Sequence, residues 1–485
     1  MARAGLVCNF SARQFDYWLR LNRCDSVEIT PFCYKNMSNT TTVSPRPKLK
    51  TTSHSTGKTG RPKQTVVVVG LGYVGLPLAL LCEEKGFDVI GFDVDQAKLN
   101  ALRNAAIPDL SPHEQTRLKK AKVKFSNNQR VINDADIVIV CVPTPVFEDH
   151  TPDLRPLKSA ARSVGLNLKK GALVIIESTV NPGVCEEVVI PILTRTSGLQ
   201  VEEDFYFAHC PERINPGDKS FTVATIPRVI GARTESSRER AVDFYRSVLD
   251  AEVVTVSDLK EAESVKMVEN AFRDINIAFV NELAMSFDKL GIDLGHVIDA
   301  ASTKPFGFMA HYPGCGVGGH CIPVDPYYLI DYAKKNGFSH KFIKSAREIN
   351  NNMPDYTVRR LRQALRLFGR QLSGERVALL GLAYKKDVAD SRESPALVIE
   401  EKLKKEGAHV VRYDPFISKK NDYLTLQDTL SAVDSVIIAT DHSLFKTLTP
   451  QILEQYEIDV VIDGRNCLDK DQFASSTIVY RGIGR

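Results

Sequence analysis

The residues best suited to chemistry stand in one run, Pro313-Gly314-Cys315-Gly316-Val317-Gly318-Gly319-His320-Cys321-Ile322-Pro323-Val324-Asp325-Pro326. Four glycines around the cysteines allow a loop whose backbone closes on a ligand, and a helix following it would lower a thiol's pKa. Cys321 is therefore a candidate nucleophile. The plainer alternative is a buried, inert cysteine, the commoner fate of a thiol. A metal site built on Cys315, His320 and Cys321 lacks the second paired ligand cluster that such sites need, so no metal is expected.

A thiol attacking a carbonyl needs donors for the oxyanion it creates. Lys266 and Asn270, four apart on a helical stretch, share a face and offer a cation and an amide. Alone, such a pair is ordinarily solvated surface. A third constellation points to redox chemistry: Gly70-Leu71-Gly72-Tyr73-Val74-Gly75 follows the β-branched run Val66–Val69 and opens the helical stretch Leu76–Lys85. Glycines there let backbone amides and a helix N-terminus approach a pyrophosphate. Asp93 closes the next strand, Val89–Asp93, where a carboxylate accepts adenosine ribose hydroxyls and repels a 2′-phosphate. NAD is thus the expected cofactor, with Lys98 added to the loop residues and Asp93 as a contact.

These groups must be held by elements. From Thr65 onward, short apolar strands alternate with helices through Ile137–Val142, Leu173–Glu177 and Phe205–Ala208, which argues a parallel sheet covered on both faces. Glu261 to Leu290 contains neither Pro nor Gly and keeps apolar residues at helical spacing, so one long helix is expected. A second strand–helix series follows in Glu375–Gly381, Val410–Asp414, Val436–Ala439 and Val460–Asp463. The expected architecture is α/β: two Rossmann-like, doubly wound lobes over 65–256 and 353–485, joined by a central helical region over 257–352 that carries the cysteine loop.

The chain has 485 residues, 43% of them hydrophobic, enough for two or three cores of its own. Its formal net charge is +4, but residues 1–64 alone carry +8, leaving a weakly acidic body that calls for no nucleic acid. That stretch reads as a disordered basic extension. Arg13, Arg20 and Arg23 would suit an organelle presequence, yet Asp16 and Asp25 interrupt it. Ten scattered cysteines without a CxxC pair suggest reduced thiols and a cytoplasmic protein. No apolar run approaches the roughly 20 residues that span a bilayer, so no membrane partner is expected.

Taken together, Gly70–Gly75 with Asp93, Val142-Pro143-Thr144-Pro145, Glu177-Ser178-Thr179-Val180, Pro211-Glu212-Arg213, Asn281-Glu282, the Gly-Gly-His-Cys loop, Gly381-Leu382-Ala383-Tyr384-Lys385 and Arg392-Glu393-Ser394-Pro395 stand in the order of the UDP-glucose/GDP-mannose dehydrogenase family. The resemblance covers nearly all of 65–485. Thr303–Phe308, Tyr312-Pro313-Gly314 and Gly319–Tyr328 resemble the branch that oxidises UDP-N-acetylhexosamines, UDP-N-acetylglucosamine foremost. UDP-glucose is the alternative, because its dehydrogenases usually carry Ser before the cysteine and Lys three residues after, where this chain has His320 and Val324.

The resemblance implies a four-electron oxidation of the sugar C6 alcohol to an acid through a cysteine thiohemiacetal and thioester. By motif position, Lys266 and Asn270 would stabilise the oxyanion, Asp325 would activate water, Glu212 would act as acid and base, and Thr179 would orient a water. Thr144, Thr179 and Arg392 would contact NAD. Glu212, Arg213, Lys266, Asn270, Tyr312, Gly318, Lys385 and Arg465 would bind the UDP-sugar. The long helix would bury its apolar face on a second copy of the chain.

Ala105-Ala106 before Pro108, Ala310-His311 and Cys315 depart from the family pattern and bear on loop shape and sugar selectivity. Cys315, six residues from Cys321, raises the idea of a regulatory disulfide. Two competing readings remain. Hydroxyacid or 6-phosphogluconate dehydrogenases share the first two regions but need no cysteine and lack the last lobe. A non-catalytic NAD- or nucleotide-sugar-binding regulator would not need every proposed catalytic position filled with a competent residue.

Overall fold

The computed structural model describes residues 63–107, 112–147, 149, 151–214, 222–319 and 321–485. The basic extension expected over 1–64 lies, apart from its last two residues, outside this range, and so does His320.

The first lobe runs β1 (Thr65–Val69), α1 (Gly75–Glu84), β2 (Asp88–Phe92), α2 (Gln96–Arg103), α3 (Pro112–Lys120), β3 (Lys124–Ser126), β4 (Ile137–Val140), α4 (Arg155–Leu166), β5 (Leu173–Ile176), α5 (Ile190–Ser197), β6 (Tyr206–His209), β7 (Arg228–Ala232), α6 (Glu235–Val248) and β8 (Val253–Thr255). Its sheet has the order β3-β2-β1-β4-β5-β6-β7-β8. The TVVVV, IVIV and LVII strands are apolar on both faces because both faces are covered. Val66 and Val68 enter one core with Leu78 and Tyr245, while Val67 and Val69 enter the other with Leu157 and Leu193. One expectation needs correcting: β7 runs antiparallel to β6. Among the described residues no helix separates these strands, and only a parallel neighbour requires a crossover helix.

The centre is α7 (Leu259–Leu290), 32 residues and about 48 Å long, two residues longer at its start than the spacing implied. The side chain of Asp258 caps it by accepting the Glu261 amide, and Gly291 ends it at φ +68°. Its buried face carries an unusual stripe of Glu263, Lys266, Asn270, Asp274 and Asn281, whereas Val268, Phe272 and Phe279 are about half exposed. Then come α8 (Leu294–Ala301), α9 (Asp325–Lys335), α10 (Lys341–Asn351) and α11 (Met353–Leu365).

The second lobe comprises β9 (Arg376–Leu380), α12 (Pro395–Lys405), β10 (His409–Tyr413), α13 (Leu426–Ser431), β11 (Ser435–Ile438), α14 (Pro450–Glu454), β12 (Val460–Asp463) and β13 (Val479–Gly482), in a parallel sheet of order β10-β9-β11-β12-β13. α11 packs against β12, so this helix belongs with the lobe that follows it. Among the described residues no helix is long and apolar enough to cross a membrane.

Candidate active site

The glycine turn after β1 is built for a close approach. Gly70 sits at φ +93°, and a Cβ there would lie 2.8 Å from the Cys141 carbonyl oxygen; a Cβ on Gly75 would strike the Gly70 oxygen. A Cβ on Gly72 would meet nothing, so the turn is open on the side a pyrophosphate would take. Asp93, one residue past β2, accepts the Leu71 amide at 2.9 Å and the Lys98 ammonium at 2.9 Å. Burial opposes its charge, but those donors hold its carboxyl below the usual range. Loop and strand end are thereby fixed in a form that fits a dinucleotide.

The candidate nucleophile lies at the start of α9, where the Val324 and Asp325 amides donate to the Cys321 carbonyl oxygen at 3.0 and 2.8 Å. Four expected partners gather around it. Lys266 Nζ stands 3.6 Å from Glu212 Oε2, and Asn270 Nδ2 donates to Asp325 Oδ2 at 2.5 Å. All four are buried. Lys266 and Asn270, expected as oxyanion donors, thus face carboxylates in this state.

These charges set the local proton affinities. Burial pushes Asp325 up to about 7, despite Lys266 and the Asn270 hydrogen bond. Burial likewise raises Glu212 against the pull of Lys266 and Arg228. Burial disfavours charge on Lys266, yet Glu212, Cys321 and Asp325 hold it above the ordinary lysine range. The expectation of a lowered thiol pKa is overturned: burial, then Asp325, push Cys321 up to about 12, and Lys266 only tempers the effect. A helix does follow the cysteine, but its first residue is itself an acid, whose charge opposes the helix start.

Other expected residues meet from the two lobes. The Arg392 guanidinium stands 5.7 Å over the Tyr73 ring and is gripped by Asp390 at 2.6 Å, while its carbonyl accepts the Gly319 amide at 3.1 Å. A Cβ on Gly318 would lie 2.7 Å from Tyr384 Cβ, so the cysteine loop lies flat on the segment that carries Lys385. Arg465 crosses Gly314, where a Cβ would meet its Nη1 at 2.5 Å. Thr179, just after β5, accepts the Thr144 hydroxyl on its carbonyl at 2.6 Å, and Tyr328 of α9 donates to the Thr144 carbonyl at 2.7 Å. Two expected substrate contacts are held elsewhere: Arg213 pairs with Glu269 at 2.5 Å, and Tyr312 donates to Asp299 at 2.7 Å. Cys315 is buried and donates to the Ala439 carbonyl at 3.3 Å; burial lifts its thiol to about 11, a poor setting for the disulfide idea.

Sequence reasoning missed most of the α7 stripe. Glu263 accepts the Gly183 and Cys185 amides at 2.6 and 2.8 Å, capping the helical segment beyond Thr179. Asp274 takes Arg347 at 2.5 Å and Asn350 at 2.8 Å, and Asn281 accepts the Gly314 amide at 3.0 Å. The spacing of 263, 266, 270, 274 and 281 was the available signal, since all lie on one helical face. Also missed was Arg228, fully buried against Glu177 at 3.3 Å, with the Tyr245 hydroxyl on the same carboxylate.

Comparison with known proteins gives three family-model matches that together span most of the chain. The NAD binding domain of the UDP-glucose/GDP-mannose dehydrogenase family matches residues 64–249, the central domain 260–352 and the UDP binding domain 378–470. A UDP-N-acetyl-D-glucosamine 6-dehydrogenase of Pseudomonas aeruginosa is 39% identical over 415 residues, covering 84% of this chain and 98% of the relative. A UDP-N-acetyl-D-mannosamine dehydrogenase of Pyrococcus horikoshii is 36% identical over 425 residues, covering 87% and 99%. The solved structure of a UDP-D-ManNAc dehydrogenase from Pyrococcus horikoshii superposes with a TM-score of 0.82 at 35% identity, over 87% of this chain and 99% of that one.

Proposed function

Because this chain belongs to the UDP-glucose/GDP-mannose dehydrogenase family, as an NAD-dependent oxidoreductase acting on a nucleotide sugar, we propose that it oxidises C6 of a UDP-N-acetylhexosamine, UDP-N-acetylglucosamine first, to the uronic acid. The observation that carries the chemistry is the gathering of Lys266, Asn270, Glu212 and Asp325 around Cys321, on a loop that lies against the second lobe.

NAD, when bound at the Gly70–Gly75 turn, supplies the hydride acceptor for two successive oxidations. The protein's own residues do the rest. The Cys321 thiol gives its proton to Asp325, which sheds it to solvent, as the sulfur adds to the C6 aldehyde, and Lys266 and Asn270 turn from their carboxylates to donate to the oxyanion of the thiohemiacetal. That rotation takes the cation from Glu212 and the amide from Asp325, so both carboxylates become better bases as the oxyanion is neutralised. Loss of the second hydride leaves a thioester on Cys321. Asp325, with proton affinity near neutrality, takes a proton from the attacking water that Thr179 orients. Glu212 manages the protons of hydrolysis, and the thiol is regenerated.

Lys385 and Arg465 would hold the diphosphate, where forked or compact cations suit it. The half-exposed Val268, Phe272 and Phe279 of α7 support burial of that face on a second copy of the chain. UDP-glucose remains the second reading of the sugar. The deciding assay follows NADH release with UDP-glucose, UDP-N-acetylglucosamine, UDP-N-acetylgalactosamine, UDP-N-acetylmannosamine and GDP-mannose. Two NADH per UDP-N-acetylhexosamine are expected, falling to one in Cys321→Ser. Preference for UDP-glucose, or two NADH at the normal rate from the serine variant, would overturn the respective claim.

A further inference from the structure

The two lobes repeat one device. In the first, Gly70 donates to the Phe92 carbonyl at 2.8 Å and the Leu71 amide donates to Asp93. In the second, Gly381, at φ +88°, donates to the Tyr413 carbonyl at 2.8 Å, and the Leu382 and Ala383 amides donate to Asp414 at 2.6 and 2.9 Å. The devices differ in what covers the acid. Asp93 pairs with Lys98, whose side chain is 36% exposed and can swing aside for a ribose. Asp414 pairs with His442 at 3.1 Å, and both are completely buried. The Phe416 and Phe445 rings enclose the imidazole at 5.0 and 5.6 Å. Asp414 also accepts the Phe416 and Ile417 amides at 2.8 and 3.0 Å, so it has no edge left for a ligand hydroxyl. The second lobe therefore keeps the turn and has closed the ribose-binding edge.

The other ring nitrogen of His442 has a definite task. Nδ1 accepts the Asp387 amide at 2.9 Å, which leaves the proton on Nε2, facing Asp414. The Asp387 side chain in turn accepts the Ser443 amide at 2.9 Å and its hydroxyl at 2.6 Å, holding the residue at φ +53°. Thr440 donates to the Ala383 carbonyl at 2.5 Å. The segment from Leu382 to Asp387, which carries Tyr384 and Lys385, is thus clamped at its start through Asp414 and at its end through His442.

We propose that His442 is a positioning residue for the nucleotide diphosphate of the sugar substrate: an imidazole that links both ends of the Leu382–Asp387 loop and fixes where Lys385 presents its charge. This rests on the reading of Lys385 as a UDP contact. A preorganised loop loses no freedom when the diphosphate arrives, so affinity for UDP depends on the clamp. Tyr384 of the same loop underlies Gly318 and Gly319, but the glycine turn and Asp93 that would hold NAD belong to the other lobe, and Arg392, its expected contact from this lobe, lies outside the clamped segment and is gripped by Asp390, so affinity for the dinucleotide should move least.

The test is calorimetric titration of UDP, and separately of NADH, into the full chain as wild type, His442→Phe and His442→Asn, with steady-state rates alongside. The phenylalanine keeps the packing and loses both hydrogen bonds. The asparagine oxygen overlies Nδ1 and can still accept the Asp387 amide. Expected are a UDP affinity about tenfold weaker in His442→Phe, largely restored in His442→Asn, with NADH affinity within twofold, KM for the sugar raised in step and kcat within threefold. UDP affinity within twofold of wild type in the phenylalanine variant, NADH weakening in parallel, or an asparagine no better than phenylalanine would each overturn the role. If His442→Phe does not fold, Ser443→Ala loosens the same clamp from outside, with a threefold loss of UDP affinity expected and an unchanged affinity refuting it. A wild type that binds NADH but no UDP would instead sink the assignment of the lobe itself.

Discussion

Replacing Asp325 by asparagine separates the charge of the site from its shape. The side chains are isosteric, Asp325 is buried, and its carboxylate is the largest charge acting to raise the Cys321 thiol. A thiol lifted from 9.0 to about 12 holds about a thousandfold less thiolate at neutral pH than an ordinary one. A like charge beside a thiol raises its pKa by an amount comparable to the roughly one to three units that an opposite charge takes off, while the burial contribution stays. Asp325→Asn should therefore lower the thiol by about one to two units and speed alkylation of Cys321 by iodoacetamide at pH 8 by roughly 10- to 100-fold. The readout is mass spectrometry of the Cys321 peptide against unfolded protein. The same substitution has a stability signature. Asp325 is raised from 3.8 to about 7, so the stability it contributes is full below the unfolded value and is lost as pH climbs through about 7. That loss is about 4 kcal/mol for this group, and the neutral asparagine does not suffer it. Urea unfolding should show the variant gaining on wild type between pH 4 and pH 8. Parallel stability curves together with unmoved alkylation rates would refute the electrostatic account.

Three further outcomes are expected. Glu212→Gln removes a carboxylate 3.6 Å from Lys266, a contact of about 4–5 kcal/mol in a medium of effective dielectric about 20; stopped-flow absorbance should show a burst of two NADH per site, then turnover at least about 100-fold slower with a sugar adduct on Cys321, and undiminished turnover would remove Glu212 from hydrolysis. Asp93→Asn gives up the negative charge beside the Leu71 amide, so KM for NAD should rise about tenfold while use of NADP increases; unchanged preference for NAD would unseat the ribose assignment. Phe272→Asp combined with Phe279→Asp places charge on the exposed face of α7, and light scattering at micromolar concentration should report monomer; a monomeric wild type would show the face has another use.

The elements were legible where local signals were strong. Gly70 and Gly381 each follow an apolar strand, and the gap-free run to Leu290 announced α7. Short strands were not: β3 and β8 have three residues each, too few for a periodic signal, and β7 begins with a buried arginine that reads as surface. At the candidate site, Cys321, Lys266, Asn270, Glu212 and Asp325 were singled out because motif order selects them. Their pairings were not legible, since Glu212 to Lys266 and Asn270 to Asp325 join residues 54 and 55 apart in the chain. The thiol's proton affinity was misjudged for a related reason. A helix start is a local feature, whereas burial and the approach of distant carboxylates belong to the assembled fold. His442 escaped notice because nothing nearby in sequence marks it as the partner of Asp414.

The central helix sets five ions and amides among the apolar residues of its inward face, while Phe272 and Phe279 stand outward. Each inward group grips a different structure: the cap beyond Thr179, the acid after β6, the first residue of α9, the guanidinium of Arg347 and the amide of Gly314. A rod of this kind works as a ruler. Displacing it by one residue, about 1.5 Å, puts all five grips out of register together, so the segment beyond Thr179, the start of α9 and the cysteine loop share a single mechanical reference. If a second copy of the chain covers the outward phenylalanines, as proposed, dilution of the enzyme should cost activity as well as mass.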